Sequence, residues 1–245
     1  MTAARLKLAL VGASGRMGQA ILRLAEEAGD IDVVARASEG DSLEAACAAG
    51  AHVAIDFSSP AATRAFVALA ARARLPVVVG TTGLGEDDRL ALSAAAASTP
   101  LFVSSNMSVG VYVLGALLER ALVMLGPDFD VEIVEAHHRR KVDAPSGTAM
   151  TLLDVARKTR AGSEASFGRS GRPGARPAAE IGVLAMRGGD VVGDHHVHLL
   201  GDGERLELTH RASNRDVFAH GALRAARFLA HGRSPGLYGM KDLFA

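Results

Sequence analysis

This sequence has almost no cysteine, no tryptophan and no formal net charge. Its 245 residues include one cysteine, Cys47, and no tryptophan. An intrachain disulfide is therefore excluded, and a reducing compartment such as the cytoplasm is the default expectation. The 27 Lys and Arg residues balance 27 Asp and Glu. Because nucleic-acid-binding proteins usually carry a basic excess that neutralises phosphates, we predict no nucleic-acid partner.

A continuous apolar run of the roughly 20 residues needed to cross a bilayer is not evident either, so we predict no membrane association. The N-terminal apolar stretch Leu6–Val11 ends in a glycine turn and lacks a small-residue cleavage site, which favours a strand over a signal peptide. Hydrophobic residues make up 49% and charged residues 22%. This composition is typical of a folded protein with one large or two small domains.

The first hundred residues alternate between short apolar runs and helical patterns. We predict strands at 6–11, 31–35, 53–57, 76–79 and 101–103, with amphipathic or Ala-rich helices between them. Strands that alternate with helices of this length indicate βαβ units and a parallel sheet, hence an α/β fold.

The pattern changes after Ser108. We predict helices at 109–125, 147–158 and 216–230, a strand at 131–136, and a mobile loop rich in Gly, Ser, Arg and Pro at 161–179. Three strand-like runs at 181–187, 191–200 and 205–211 are separated by glycine turns, which predicts a meander on a second sheet. We expect one domain at 1–108 and 216–245, and a smaller α+β domain with a mixed sheet at 109–215.

Three glycines follow the first predicted strand. Gly12, Gly15 and Gly18 have the spacing G-x-x-G-x-x-G and precede an amphipathic helix. Glycines here permit a tight turn and a close approach to a pyrophosphate, which the helix N-terminus attracts. The pattern predicts a Rossmann dinucleotide-binding domain, although a plain strand-to-helix turn has the same glycines.

The end of the second strand bears on which dinucleotide binds. Glu39 has the position of an acid that holds the adenosine ribose of NADH, whereas Arg36 suits the 2′-phosphate of NADPH. The preference between NADH and NADPH therefore stays open. Polar loops at 80–83 and 104–107 follow the fourth and fifth strands, where ligands of parallel sheets bind.

The segment from Glu135 to Ala149 combines five cationic or potentially cationic side chains with a predicted helix start at Ser146. A cationic cluster beside outward-pointing helix N–H groups suits a substrate with carboxylates. Histidine can donate a proton near neutral pH, and Lys141 can donate a second proton or contact a carboxylate.

The chain resembles the dihydrodipicolinate reductase family over nearly its whole length. The resemblance rests on G-A-S-G-R-M-G at 12–18, G-T-T-G at 80–83, N-M-S-V-G at 106–110 and E-A-H-H-R-R-K-V-D-A-P-S-G-T-A at 135–149. R-S-G-R-P-G-A-R at 169–176 and the stretch from Glu204 to Arg215 also fit.

The resemblance implies an NADH- or NADPH-dependent reduction of a cyclic dicarboxylate imine by a homotetramer. It implies that His137 donates and accepts a proton and that Lys141 is a second donor. The implied substrate-carboxylate residues are His138, Gly147 and Thr148, next to Ser146. The implied cofactor contacts are Gly12, Ala13, Ser14, Gly15, Arg16, Met17, Gly80, Thr81, Thr82, Ser104, Ser105, Asn106 and Met107. Ser38 and Glu39 depart from the acidic-then-basic pair of many family members.

Two other functions remain as alternatives: a Rossmann dehydrogenase of an amino-acid semialdehyde, and a non-catalytic nucleotide sensor. His196 and His198 would share one face of a strand and form a feasible metal-ligand pair, but spacing shows no third ligand. We therefore predict no metal site and interpret these histidines and His195 as structural or interface residues.

Overall fold

The computed structural model describes residues 5–245. They divide into two compact units, one comprising the chain up to Val109 with Arg215–Ala245, the other Gly110–Asn214. The elements are β1 Leu6–Val11, α1 Arg16–Ala28, β2 Ile31–Ala37, α2 Leu43–Ala48, β3 Val53–Asp56, α3 Pro60–Ala73, β4 Val77–Val79, α4 Glu86–Ala96, β5 Pro100–Val103, α5 Val109–Leu125, β6 Asp130–His137, α6 Gly147–Thr159, β7 Glu164–Ser166, β8 Glu180–Arg187, β9 Gly193–Gly201, β10 Glu204–Ala212, α7 Asp216–Ala230 and β11 Gly236–Tyr238.

The first unit is a parallel sheet covered on both faces by helices. Its strand order is β11-β5-β4-β3-β1-β2, and every pair is parallel. Strands β1, β3 and β4 are buried on both faces, which explains their continuous apolar sequences. The α/β prediction is confirmed. Strand β11 and the 3-10 turn Met240–Phe244 after it had no predicted counterpart.

Helices α2, α3 and α4 cover one face of this sheet, around the buried Phe66 and Val67. Helix α1 packs beside α7, which also contacts β3, β4 and β5. Helix α1 ends at Gly29, whose left-handed conformation closes the helix (φ 70°). The chain order reverses at β1, because β2 lies on one side of it and β3 on the other. Such a switch point opens a crevice at the carboxyl ends of the strands.

The second unit contains a mixed five-stranded sheet in the order β10-β9-β6-β8-β7. Helices α5 and α6 pack on one face, where alternate strand residues form the core. That core includes Leu118, Leu152, Ile133, Val183 and Val197. The predicted mixed sheet is confirmed.

The predicted meander is wrong in one respect. Strand β6 lies between β8 and β9, parallel to β8 and antiparallel to β9, so only β9 and β10 form a hairpin. The turn Gly201-Asp202-Gly203 closes that hairpin. The chain at Gly188 and Gly189 instead crosses the end of β6, where the Gly188 N–H donates to the His137 carbonyl (3.0 Å). Periodicity cannot reveal such an insertion, because strand order depends on pairing between distant segments.

The segment 161–179 is also more ordered in its contacts than its composition indicated. Arg169 forms ion pairs with Glu132 and Glu180. Arg176 forms ion pairs with Asp130 (2.6 Å) and Glu132 (3.0 Å). The short strand β7 also pairs with β8. The prediction that this segment holds no packed element is wrong at Glu164–Ser166, where β7 lies, and its arginines bond it to β6 and β8; its mobility stays a prediction.

Helix α5 corrects the expectation about long apolar runs. Among the residues that the structure describes, Val109–Asp128 is a helical stretch with the length and composition to cross a membrane, at a mean hydropathy of 1.7. Leu114, Leu118 and Leu122 on this helix are buried in the core of the second unit. Only 17% of the apolar window is buried, and Leu117, Val123 and Met124 are exposed, so core packing accounts for one side of the helix alone.

Candidate active site

The predicted cofactor residues of the first unit lie at the carboxyl ends of its parallel strands. Gly12 follows β1, Glu39 comes two residues after β2, Gly80 follows β4 and Ser104 follows β5. Because the strands are parallel and adjacent, these four loops share one edge of the sheet. This is the edge at which ligands of open α/β sheets bind.

The glycine turn is packed as tightly as a dinucleotide loop requires. Gly12 has a φ of 80°, and a Cβ added to it would overlap with the carbonyl oxygen of Phe57. A Cβ on Gly18 would overlap with the carbonyl oxygen of Gly12, so these glycines let the loop, β3 and α1 approach one another. Helix α1 begins after Gly15, which offers no side-chain cap. The first-turn N–H groups therefore remain for an anion such as a pyrophosphate. These residues fit a dinucleotide.

A buried carboxyl group supports the loop after β4. Asp56 is fully buried and accepts hydrogen bonds from the hydroxyls of Ser58 (2.5 Å) and Thr63 (2.5 Å). The Thr63 hydroxyl lies 2.8 Å from that of Thr81. Burial raises the pKa of Asp56, although hydrogen bonds from Ser58 and Thr63 oppose the shift. Thr81 is thus fixed by its hydrogen bond with Thr63, and its neighbour Thr82 is exposed.

The loop after β5 is fixed by its own polar groups. The Ser104 hydroxyl donates to the Asn106 carbonyl (2.7 Å), and the Asn106 side-chain oxygen accepts from the Ser108 N–H (2.9 Å). Ser105 is exposed, whereas Met107 is buried. The Met107 carbonyl lies so close to Gly221 of α7 that a Cβ there would overlap with it. Of the predicted cofactor residues here, Met107 is packed into the protein.

The two residues predicted to choose between the dinucleotides, Arg36 and Glu39, are both exposed near the end of β2. Between them, the Ser38 hydroxyl accepts from the Ser14 N–H of the glycine turn (3.2 Å). The β2 end and the glycine turn are therefore directly bonded.

In the second unit, His137 is the last residue of β6, and its ring is held by Glu135 two residues earlier. The two side chains lie on the same face of the strand, and His137 Nδ1 is 2.6 Å from Glu135 Oε2. Glu135 is fully buried. Arg187 of β8 donates to both of its oxygens, at 2.7 Å and 2.8 Å. The Ser146 N–H donates to Oε1 (2.9 Å).

These contacts keep the Glu135 carboxylate ionised despite its burial. Burial alone raises the pKa of Glu135, but hydrogen bonds from Arg187, His137 and Ser146 outweigh it and bring the pKa below its usual value. An ionised carboxylate accepts at about four lone-pair positions, and four donors occupy them here. Arg187 also donates to the Asp143 carbonyl (2.7 Å), in the segment before α6.

His195 of β9 lies behind His137. The two rings are 5.3 Å apart and edge-to-face. His195 Nε2 is 3.2 Å from the Ser146 hydroxyl. Burial, followed by the nearby His137 and His210, lowers the pKa of His195 to about 4. His195 is therefore neutral near neutral pH and adds no second charge beside His137.

Ser146, Gly147 and Thr148 form the start of α6, as predicted. Ser146 is the N-cap: its hydroxyl accepts from the Ala149 N–H (3.2 Å), while its own N–H is bonded to Glu135. Ser146 is buried, and both of its polar groups serve protein contacts. Gly147 is exposed and Thr148 is half-buried, so the outer side of the first turn is the part that can face an anion.

Lys141 lies in the turn that follows β6, with its Nζ 2.8 Å from both carboxylate oxygens of Asp143. This ion pair lowers the pKa of Asp143 through the hydrogen bond from Lys141. His138 is half-buried, whereas Arg139 and Arg140 are exposed. Of the cationic cluster predicted from sequence, His137 is thus fixed by Glu135, whereas Arg139 and Arg140 face solvent.

Three residues of this cluster had no predicted role in the site: Glu135, Arg187 and His195. The i, i+2 spacing of Glu135 and His137 on a predicted strand was an available signal, because such residues share a face. Nothing in the sequence pairs Arg187 or His195 with them, since those contacts depend on the strand order β9-β6-β8.

His196 and His198 lie on the other face of β9, with their rings stacked 6.3 Å apart. His196 Nδ1 is 3.2 Å from the Thr209 hydroxyl, and His198 Nδ1 is 3.6 Å from a Glu207 oxygen. Within residues 5–245, no group of three His, Cys, Asp or Glu side chains is arranged to hold a metal ion.

Comparisons with known proteins cover nearly the whole described chain. Residues 6–107 match the family model for the N-terminus of dihydrodipicolinate reductase, and residues 110–244 match that for the C-terminus. The 4-hydroxy-tetrahydrodipicolinate reductase of Myxococcus xanthus is 46% identical, and that of Akkermansia muciniphila is 48% identical. Both alignments cover 97% of this chain and 97% of the relative.

Among solved structures, the dipicolinate-bound dihydrodipicolinate reductase of Paenisporosarcina sp. TG-14 superposes with a TM-score of 0.79. It is 19% identical and covers 97% of this chain and 99% of its own. At that identity the likeness concerns the fold. A diaminopimelate dehydrogenase of C. glutamicum shares the fold more distantly, with a TM-score of 0.58 and 15% identity.

Proposed function

The chain belongs to the dihydrodipicolinate reductase family, and from this premise we propose how its residues carry out the reaction. The protein is an NAD(P)H-dependent oxidoreductase that converts 4-hydroxy-tetrahydrodipicolinate to tetrahydrodipicolinate in the lysine and diaminopimelate pathway. Overall, the substrate gains a hydride and a proton and loses water. The net uptake is one proton, so a proton given by Lys141 as second donor is balanced by one that His137 accepts before it donates its own.

The first unit binds NADH or NADPH at the carboxyl edge of its parallel sheet. The first turn of α1 and the turn Gly12–Gly15 would hold the pyrophosphate, and the loops at Gly80 and Ser104 would contact the nicotinamide end. The close packing around Gly12 and Gly18 supports this assignment. When bound, the cofactor supplies the hydride.

His137 supplies the proton. The observation that carries this role is that the end of β6 and the start of α6 are joined through one carboxylate, because His137 and Ser146 both bond to Glu135. A proton donor and an anion-binding helix start thus lie in one bonded cluster. A dicarboxylate held at Gly147, Thr148 and His138 would lie beside the His137 ring.

Lys141 is the second donor. Its ammonium group neutralises Asp143 and must exchange that partner for a substrate carboxylate or a proton acceptor. Asp143 is more exposed than Lys141, so water can solvate Asp143 when the lysine moves. The pair therefore holds Lys141 near the site until a substrate anion competes for it.

We also propose a cytoplasmic homotetramer that assembles through the second unit. The sheet face opposite α5 and α6 carries Val134, Leu184, Met186 and Leu200 on alternate positions, and Met186 is 59% exposed. His196, His198 and Glu132 lie on the same face, so the proposed interface combines exposed apolar side chains with polar ones, as subunit interfaces commonly do. Light scattering coupled to size-exclusion chromatography would measure the mass, and a monomer of 25.3 kDa would contradict the proposal.

A coupled assay tests the reaction. The substrate is made in place from pyruvate and aspartate semialdehyde by a synthase, and absorbance at the nicotinamide band follows NADH and then NADPH. We expect oxidation that requires both the synthase product and this protein. Turnover of a semialdehyde alone would favour the dehydrogenase alternative, and cofactor binding without turnover would favour the sensor.

His137→Ala tests the acid. We expect a loss in kcat of about 100-fold or more, the usual scale for a general acid, with cofactor affinity nearly unchanged. His231→Ala, at an exposed site beyond α7, is the matched control and should keep wild-type kcat. An equal loss of cofactor binding in His137→Ala would place this histidine in the nucleotide site instead.

A further inference from the structure

Glu135 bonds three members of the His137 cluster through its two carboxylate oxygens. Its Oε2 bonds His137 at the end of β6, and its Oε1 bonds Ser146 at the start of α6. Arg187 of β8 bonds both oxygens. Three separate chain segments therefore converge on one buried carboxylate.

We propose that Glu135 is the positioning residue of this site, fixing both the tautomer of His137 and the placement of the first turn of α6 relative to it. The proposal rests on the roles proposed above for His137 and α6. Glu135 does not touch the substrate in this scheme, because it is fully buried behind the histidine.

The tautomer follows from hydrogen-bond chemistry. An ionised carboxylate can only accept, so the 2.6 Å contact requires the proton of a neutral His137 ring to sit on Nδ1. Nε2 is then the nitrogen that takes up and releases the catalytic proton. Without Glu135 the two tautomers would compete, and a fraction of the enzyme would present Nε2–H where a proton acceptor is needed.

The charges around His137 match this role. Glu135 lies on the same strand, Arg187 approaches from β8, and His195 approaches from β9 with His210 of β10 behind it. Arg187 balances the charge of Glu135, so the carboxylate orients the ring without adding a net negative charge to the pair. His195 stays neutral near neutral pH, as its lowered pKa shows.

Coupling to α6 is the second part of the role. Glu135 holds the N–H of Ser146, the residue that caps α6. A shift of the carboxylate would therefore displace both the histidine and the helix start at Gly147. The proposal predicts that a change at Glu135 affects kcat through His137 and KM for the dicarboxylate through α6, while KM for the dinucleotide stays constant.

Glu135→Gln is the test variant, because it keeps the size and removes two of the four acceptor positions. The matched control is Glu132→Gln. Glu132 lies on the same strand and pairs with two arginines, Arg169 and Arg176, but on the opposite face of the sheet. We expect Glu135→Gln to lower kcat by about 10- to 100-fold, the scale seen when an orienting partner is removed, and Glu132→Gln to keep kcat within about two-fold.

A double variant separates positioning from general structural damage. In the His137→Ala background, Glu135→Gln should cause no further loss of kcat, because the group through which it acts is gone. An equal loss in both backgrounds would overturn the proposal and make Glu135 a structural residue. A wild-type kcat in His137→Ala would instead refute the proposed role of His137 as the acid, and this outcome is distinguishable from a failure of the proposal for Glu135.

Nitrogen NMR of the wild-type holoenzyme with 15N-labelled histidine provides a test that needs no turnover. We expect His137 to show a protonated Nδ1 and an unprotonated Nε2 at a pH where the ring is neutral. Assignment uses the missing signal of His137→Ala. The opposite tautomer would overturn the proposal even if the enzyme were fully active, whereas an inactive wild type with the expected tautomer would refute only the proposed function.

Discussion

Gly193 leaves open the space beside the ring of His137. A Cβ added to Gly193 would stand 3.0 Å from His137 Nε2, tighter than ordinary van der Waals contact. Because Glu135 holds the ring at Nδ1, the ring is fixed on one side and closely bordered on the other. The position of His137 Nε2, the nitrogen proposed to carry the proton, thus depends on the Glu135 carboxylate and on the lack of a side chain at Gly193.

Gly193→Ala should therefore lower kcat by about 10-fold without unfolding the protein. A shift of a few tenths of an ångström in His137 is enough to misalign a proton transfer. The measurement is kcat with the coupled substrate, together with the free energy of unfolding in urea.

Gly188→Ala is the control for that variant. Gly188 follows the end of β8, in the loop that leads to Gly193 at the start of β9. A Cβ on Gly188 would meet no atom within 4 Å. Wild-type kcat in Gly188→Ala and a reduced kcat in Gly193→Ala are expected. Equal activity of the two variants would show that the ring of His137 moves aside at no cost.

His195 should make the protein less stable in mild acid. Its pKa is lowered in the folded protein, to about 4 from 6.5, mainly by burial. Between those values the unfolded chain binds one more proton than the folded chain. The contribution of His195 is therefore intact above pH 6.5 and is lost as the pH falls toward 4, by about 3 kcal/mol in total.

The measurement is the free energy of unfolding at about pH 7 and about pH 5 for wild type and His195→Gln. We expect the pH-dependent drop to be about 2 kcal/mol smaller in the variant. His231→Gln, at an exposed position, should keep the wild-type drop. An unchanged drop in His195→Gln would mean that another group causes the acid sensitivity.

Gly182 controls the contacts of the arginine-rich segment. A Cβ on Gly182 would overlap with the carboxylate of Glu132, the group that binds Arg169 and Arg176. Gly182→Ala should displace Glu132 and release the segment from the sheet. Faster trypsin cleavage after Arg169, detected by mass spectrometry, is the expected outcome; Arg172 and Arg176 precede prolines, and trypsin does not cut such bonds.

Gly115→Ala is a suitable comparison for the trypsin experiment, because a Cβ at that position of α5 meets no atom within 4 Å. Its cleavage pattern should equal that of wild type. If Gly182→Ala is also cleaved at the wild-type rate, the ion pairs of Glu132 do not hold the segment.

Arg36 and Glu39 should act on different cofactors. Glu39→Ala is expected to raise KM for NADH by about 10-fold, because it removes a charged hydrogen bond to the ribose diol. Arg36→Ala is expected to raise KM for NADPH by a similar factor, because it removes a partner of the 2′-phosphate. Equal changes for both dinucleotides in either variant would contradict that residue's assignment.

The parallel sheet and its helices could be predicted from the sequence because their signals are local. Strands such as β1 and β3 are buried on both faces and read as apolar runs, while α5 and α7 have the predicted ends. The glycine turn was predictable for the same reason, since its residues follow one another. The residue roles at His137, Lys141 and the cofactor loops stay predictions.

Strand order and ion pairs between distant segments were not predictable in this way. The insertion of β6 between β8 and β9 overturned the predicted meander, and the ion pairs of Glu132 with Arg169 and Arg176 had no predicted counterpart. Both depend on which segments become neighbours, and no periodicity records that choice.

The sequence by itself determined the class of fold, the glycine loop and the position of the histidine–lysine segment, because each arises from residues close together in the chain. The tertiary structure alone decided that Arg187, 52 residues from Glu135, and Ser146, 11 residues from it, would meet one buried carboxylate. A buried charge is tolerated only where several donors surround it. Those donors come from different strands and a helix, so only the folded chain brings them together.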